Sequence, residues 1–134
     1  MLAESRARLA AELARWVPAG VPVLDHPPDT AAPPFVYLRP ARHTFRQGIV
    51  VAWDVVLTVD GSLSPADRAA RLDTLFDAVL AAAAQVAVLA ECASSFGTQL
   101  LGDVGNPSAT VTVPIYHATC ELPQTPTAPL TAVS

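Results

Sequence analysis

The sequence contains no lysine and few charged residues of either sign. Charged residues make up 15% of the 134 residues, against about a quarter in a typical globular domain. So few charges cannot cover a free-standing domain, so we expect part of the surface to be buried against other subunits. The net charge of −4 gives no reason to expect nucleic-acid recognition. We interpret the absence of lysine as codon bias of a GC-rich genome rather than selection for bidentate arginine contacts.

Cysteines and long apolar runs are also scarce. Cys92 and Cys120 are the only cysteines, and the first residues lack the apolar core of a signal peptide. We therefore expect a cytosolic protein without a disulfide. The most apolar segment, 78–90, contains Gln85 and is shorter than the roughly 18 residues that a membrane span needs. No membrane partner is expected.

Residues suited to catalysis or metal binding form no known pattern. His26, His43 and His117 have no partner at metal-ligand spacing, and neither cysteine belongs to a Cys-x-x-Cys pair. No serine lies in a Gly-x-Ser-x-Gly elbow, and a chain without lysine has no phosphate-binding loop of the Gly-Lys type. We predict no catalytic residue, no metal ligand and no cofactor, and we do not expect an enzyme.

The most informative segment, 49–85, reads as a long strand, a turn and a capped helix. Apolar residues alternate from Ile49 to Val59, which is strand periodicity, and Asp60-Gly61 is typical of a turn. Ser64-Pro65 supplies an N-cap and a proline at the first helical position. A strand of this length extends about 40 Å, against a radius of gyration of about 14 Å for the domain. We expect it to bend or to reach past the compact body.

The two predicted helices each have an apolar face. Residues 2–17 form the first helix, which Pro18-Ala19-Gly20 ends. Its predicted buried face comprises Leu2, Leu9, Leu13 and Trp16. The helix after Ser64 has a stripe that we expect to lie on the sheet, formed by Ala69, Leu72, Phe76, Val79 and Ala83.

The remaining segments predict short strands. We predict a short strand at residues 21–24, which Pro22 should confine to a sheet edge, and a second strand at 35–38. The residues after 84 form either a further helical turn or a strand. Strands are also predicted at 96–101 and 110–121, the latter confined to an edge or a bulge by Pro114, with a turn at Gly105-Asn106-Pro107.

One basic cluster lies between the second strand and the long strand. It contains Arg39, Arg42 and Arg46, with His43 and Phe45 among them. The segment 41–48 either loops out or extends a long hairpin, and the cluster is either a docking loop for an acidic partner or a solvated tip. Three arginines are too few for phosphate-backbone binding, which involves about six to ten contacts.

Two residues of the long strand complete the candidate interface. Trp53 and Asp54 point to opposite faces of that strand. A lone aspartate among apolar residues is either an acid with a perturbed pKa or a polar position at an edge or subunit contact, and we favour the contact. We therefore assign both residues, with the basic cluster, to a subunit or partner interface.

These elements predict one α+β domain over residues 1–122. Its sheet is mostly antiparallel, contains a long hairpin, and packs against an N-terminal helix and a central helix. Residues 123–134 are rich in proline and threonine, and we predict a flexible tail.

The order of elements resembles the tail terminator, or tail completion, proteins of long-tailed bacteriophages. Three segments carry the resemblance: the helix and edge strand from Leu13 to Val23, the Pro-rich loop and strand from His26 to Leu38, and the strand-to-helix unit from Leu57 to Leu80. The resemblance implies a homo-oligomeric ring, typically a hexamer, that caps the tail tube and stops its polymerisation. It also implies a contact with the head-side connector, assembly in the host cytoplasm, and a final place in the virion neck.

Two other classes of protein fit the sequence. One is another neck component, such as a head-closure or adaptor protein. The other is a small non-viral α+β ligand-binding module. Neighbouring genes for a major tail protein and a portal protein would favour the phage classes.

Overall fold

Within the residues that the structure describes, two helices and five strands follow one another in the predicted order. The computed structural model describes residues 2–28, 32–44, 49–101 and 104–117. Helix α1 and strands β1 to β3 come first, followed by helix α2, a short 3-10 turn, and strands β4 and β5. Their bounds are α1 Leu2–Trp16, β1 Val23–Leu24, β2 Phe35–Thr44, β3 Ile49–Thr58, α2 Pro65–Ala84, the 3-10 turn Leu89–Glu91, β4 Ala93–Leu101 and β5 Val104–His117.

The strands form one sheet in the order β1-β2-β3-β5-β4. Only β1 and β2 are parallel, and every other pair is antiparallel, which confirms the α+β prediction. Strand β3 is paired with β2 from Val50 to Thr58 on one side and with β5 from Ile49 to Thr58 on the other. It therefore lies inside the sheet, with a neighbouring strand on each side.

Strands β2 and β3 form the long hairpin that was one of two alternatives for this segment. Pairing runs from Phe35 opposite Thr58 to Thr44 opposite Val50, with a bulge between Pro40 and Arg42. The predicted strand at 35–38 is thus only the first part of β2. Residues 45–48 lie outside the described chain.

Both helices pack on one face of the sheet. The α1 residues that enter the core are Ser5, Leu9 and Leu13, and Val17, just after the helix, continues this spacing of four. Leu2 and Trp16 were expected on the same face, but they are 39% and 43% exposed. They lie at the two ends of α1, so the core covers only the middle of the predicted stripe.

Helix α2 begins where the sequence predicts. Ser64 is the N-cap, and its Oγ accepts a bond from the backbone N–H of Asp67 at 3.2 Å. The buried residues of the helix are Leu75, Val79, Ala82 and Ala83. The predicted stripe is therefore slightly rotated: Ala69 is exposed, and Phe76 is half-buried against the ring of Phe96 in β4, 5.2 Å away.

The helix stops at Ala84, with Gln85 as its C-cap. The residues after 84 form neither a further turn of the α-helix nor a strand directly. Val86 is still buried, and a 3-10 turn precedes β4, which begins three residues earlier than predicted.

The structure corrects two predictions for the last strand. Gly105, Asn106 and Pro107 belong to β5 rather than to a turn, and β5 is an inner strand between β3 and β4. Pro114 is tolerated because β4 pairs with β5 only as far as Thr112. At Pro114, no strand pairs with β5 on the β4 side in the described chain. Residues 118–134, which include the end of the predicted strand and the predicted tail, lie outside the described chain.

Asn106 connects β5 to the turn after β3. Its side chain is buried, and its Nδ2 donates to the carbonyl oxygens of Gln99 and Val104. Its Oδ1 accepts a bond of 2.8 Å from the backbone N–H of Gly61. A Cβ on Gly61 would overlap the carbonyl oxygen of Gly105, so only glycine fits this close approach.

We predict that Leu75→Ala destabilises the protein more than Phe76→Ala. Leu75 is 3% exposed, and its truncation should lower the free energy of unfolding by about 2–5 kcal/mol. The partly exposed Phe76 leaves a smaller cavity, and Ser64→Ala should cost about 1 kcal/mol through the lost cap. Urea denaturation measures all three, and a larger loss for Phe76→Ala than for Leu75→Ala would contradict the observed helix register.

Candidate functional site

Three polar side chains form a row across neighbouring strands on the face without helices. Asp54 in β3 lies between Arg39 in β2 and Thr112 in β5. The Thr112 hydroxyl donates to Asp54 Oδ1 at 2.6 Å, and Arg39 Nε donates to Asp54 Oδ2 at 3.4 Å. Arg39 is 47% exposed and Asp54 only 18%, so the row presents a guanidinium at the surface and a carboxylate beneath it.

This row fixes the carboxylate of Asp54 as an acceptor. Each of its oxygens receives a hydrogen bond from a neighbouring strand. A hydroxyl, a carboxylate and a guanidinium on three adjacent strands instead tie the strands together. Asp54 thus lies in the central strand rather than at a sheet edge, and Arg39 is the member of the row that a partner can reach.

The structure corrects the assignment of Trp53 to an interface. Its side chain is fully buried beneath α1, and Nε1 donates a bond of 2.9 Å to Ser5 Oγ. Ser5 Oγ in turn donates to the carbonyl oxygen of Leu2. The Arg6 guanidinium lies 5.1 Å from the ring centre of Trp53. Trp53 therefore joins the first helix to the central strand inside this chain.

The other members of the predicted basic cluster are only partly described. Arg42 is exposed on β2 just after the bulge, opposite Ala52. His43 pairs with Val51 through its backbone, and its side chain lies outside the description. Phe45 and Arg46 lie outside the described residues.

The face without helices carries a small apolar cluster where β2 begins and β3 ends. Phe35, Tyr37 and Val56 are buried there, and Leu24 and Leu101 pack against them. Leu101 comes from the end of β4, so that end of the sheet curves back over its own face. The Thr58 hydroxyl donates to Gln99 Oε1 at 2.8 Å and fixes the same curvature.

A cleft of about 350 Å³ lies at the C-terminal end of α1. It lies between the turn after α1, the loop 59–63 and the first half of α2, and its lining is mainly apolar. Asp60 and Arg71 are its charged residues. The backbone N–H and hydroxyl of Ser62 bond to Asp60 Oδ1, and these bonds lower the pKa of Asp60.

Large apolar side chains are exposed at several places that periodicity did not single out. Val88 and Leu89 lie before β4, and Tyr116 is 54% exposed near the end of β5, where its hydroxyl donates to Glu91 Oε1. Phe96 and Leu100 are exposed on β4. The absence of charged residues between Cys92 and Leu101 is the feature of the sequence from which the exposed apolar surface of β4 could have been predicted.

The described residues contain no cluster of three or more side chains able to hold a metal ion. His26 Nδ1 lies 2.7 Å from Asp25 Oδ1, and this hydrogen bond lowers the pKa of Asp25. Burial, with the neighbouring Glu91, raises the pKa of the Cys92 thiol. Within the described chain, no helix is both long enough and apolar enough to cross a membrane.

No protein-family model matches the sequence, and no curated protein matches it either.

We predict that Ser5→Ala destabilises the protein, although the substitution changes only a small side chain in a helix. The substitution leaves the buried N–H of Trp53 without an acceptor, which should cost about 1–3 kcal/mol. Ser94→Ala, on the exposed surface of β4, is the matched control and should be nearly neutral. In a double-mutant cycle with Trp53→Phe, the Ser5→Ala effect should largely disappear, and additive losses would contradict the hydrogen bond.

Proposed function

We propose that this chain is a tail terminator subunit of a long-tailed bacteriophage. Copies of it form a ring, typically a hexamer, at the head-proximal end of the tail tube, where the ring stops polymerisation and meets the head-side connector. The subunit is assembled in the host cytoplasm and ends in the virion neck. The order of helix, edge strand, hairpin, capped helix and two final strands supports the proposal, because this order carries the resemblance.

The observation that carries the proposal is the β2–β3 hairpin with its exposed arginines. Strand β1 pairs only with Val36 and Tyr37, so the outer edge of β2 has no partner strand from Arg39 to Thr44 in the described chain. Arg39 and Arg42 are exposed on this stretch. Exposed charges add little to folding, whereas arginine binds carboxylates with two parallel hydrogen bonds. An acidic surface of a neighbouring subunit or of the tube protein fits this hairpin.

The composition of the surface is a second support. Few charges and several exposed large apolar side chains are typical of a subunit that buries part of its surface in an assembly. The same features fit another neck component, such as a head-closure or adaptor protein, which remains the nearest alternative within the virion.

The cleft beside Asp60 and Arg71 favours a different class, a small ligand-binding module. Its volume of about 350 Å³ falls at the small end of the range of about 300–1,000 Å³ that ligand pockets occupy. A ligand-binding module needs no partner on the β2 edge, so the arginine substitution below separates the two functions.

We predict that Arg42→Glu weakens assembly without affecting folding. The exposed side chain makes no described contact that stabilises the fold, so the melting temperature should stay nearly unchanged. Binding to the tail-tube protein, measured by sedimentation velocity, should weaken, and the difference should be larger at low salt. Arg8→Glu, on the exposed side of α1, is the control with the same change of charge.

If Arg42→Glu and Arg8→Glu bind the tube protein as tightly as the unsubstituted chain at every salt concentration, the hairpin is only solvated. If both substitutions weaken binding equally, the effect comes from net charge and not from the hairpin.

A further inference from the structure

The outer edge of β4 lacks the features that keep a sheet edge from pairing. Its nine residues, Ala93–Leu101, contain no charge and no proline. Its register with β5 is regular from Ala93 opposite Thr112 to Leu101 opposite Val104, with no bulge. No strand pairs with its other side in the described chain. Natural sheets normally block such edges with charges, proline, bulges or very short strands.

The opposite edge of the same sheet has all of these protections. Strand β1 is two residues long and follows Pro22. Where β1 ends, the edge of β2 carries Arg39, Pro40 and Arg42, and its register is broken by the bulge. The contrast within one sheet singles out β4 as the edge that is open to another strand.

The side chains of β4 are as exposed as its backbone edge. Phe96 and Leu100 lie on the helix side of the sheet and are 63% and 71% exposed. Phe76 contacts Phe96 from one side only. An added strand would cover both apolar side chains while its backbone pairs with β4.

We propose that the β4 edge docks a second copy of this chain, with the two β4 strands antiparallel about a two-fold axis. The strand carries no charge, so two copies face each other without like-charge repulsion. If Thr98 lies on the axis, Phe96 lies opposite Leu100 of the partner subunit. Both apolar side chains of each copy are then covered on one face by aromatic–aliphatic pairs.

This contact does not rest on the proposed ring function. A two-fold contact uses the same surface on both copies, whereas a cyclic ring needs two different surfaces. The two proposals therefore predict different species: a dimer of the free chain through β4, and a ring on the tube through other contacts. Failure of one leaves the other standing.

Cysteine cross-linking tests the register directly. In the full chain with Cys92→Ser and Cys120→Ser, Thr98→Cys should form a disulfide-linked dimer under mild oxidation by oxidised glutathione. Residues opposite each other on paired strands have Cα atoms about 5 Å apart, within the range that a disulfide spans. Ala66→Cys, exposed at the start of α2, is the control and should remain mostly monomeric.

A charge on the axis provides the second test. Thr98→Lys in the otherwise unsubstituted chain places two ammonium groups opposite each other, so the dimer dissociation constant should rise about fivefold or more. The melting temperature of the monomer should stay near that of the control Ala70→Lys on the exposed side of α2. Sedimentation equilibrium measures the dissociation constant.

Three outcomes would overturn the inference. The first is an unsubstituted chain that stays monomeric at high concentration. The second is equal cross-linking of Thr98→Cys and Ala66→Cys. The third is protection from hydrogen exchange, in a monomer at high dilution, of the β4 amides that point away from β5, since another part of the same chain would then cover the edge.

Discussion

Burial of β3 on both faces is the constraint on which the rest of the structure depends. On one side Val51, Trp53 and Val55 enter the core beneath the helices, and on the other Val56 and Thr58 are also buried. A strand flanked by two neighbours and covered on two faces fixes the order of the sheet around it. The hydrogen bond from Trp53 to Ser5 then sets where α1 lies across that strand.

The local signals in the sequence were sufficient for most elements. The Ser64-Pro65 pair predicts the start of α2, because an N-cap followed by proline needs no tertiary contact to act. The alternating residues of β3 predict a strand, and Pro22 correctly predicts an edge. Alternation alone suggests one buried face, whereas three of the five even-numbered residues of β3, Val50, Ala52 and Val56, are apolar too, as in a strand buried on both sides.

The remaining errors come from tertiary contacts that periodicity does not contain. Trp53 was assigned to an interface because nothing in the sequence marks Ser5, 48 positions away, as its acceptor. The segment 105–107 has turn residues, yet it is part of β5, where Asn106 accepts the bond from the backbone N–H of Gly61 and the carbonyl of Gly105 leaves no room for a Cβ on Gly61. Of the candidate site, Arg39 and Asp54 are brought together as an ion pair, which no spacing rule predicts across a hairpin.

The two outer edges of the sheet differ in charge and regularity. One edge carries arginines and a bulge, and the other is neutral and regular. A sheet with two unlike edges can make two unlike contacts, and the exposed hairpin places charge where a partner reaches it. The helices and β3 hold the fold together, and we propose that the edges determine what the chain binds.

The most direct test of the proposed function is electron microscopy of the purified chain mixed with the tail-tube protein of the same phage. We expect tubes that end in a ring of this chain, seen as a six-fold assembly in views along the tube axis, with growth stopped at that end. Tubes of unrestricted length with bare ends, and the chain left unbound in solution, would contradict it.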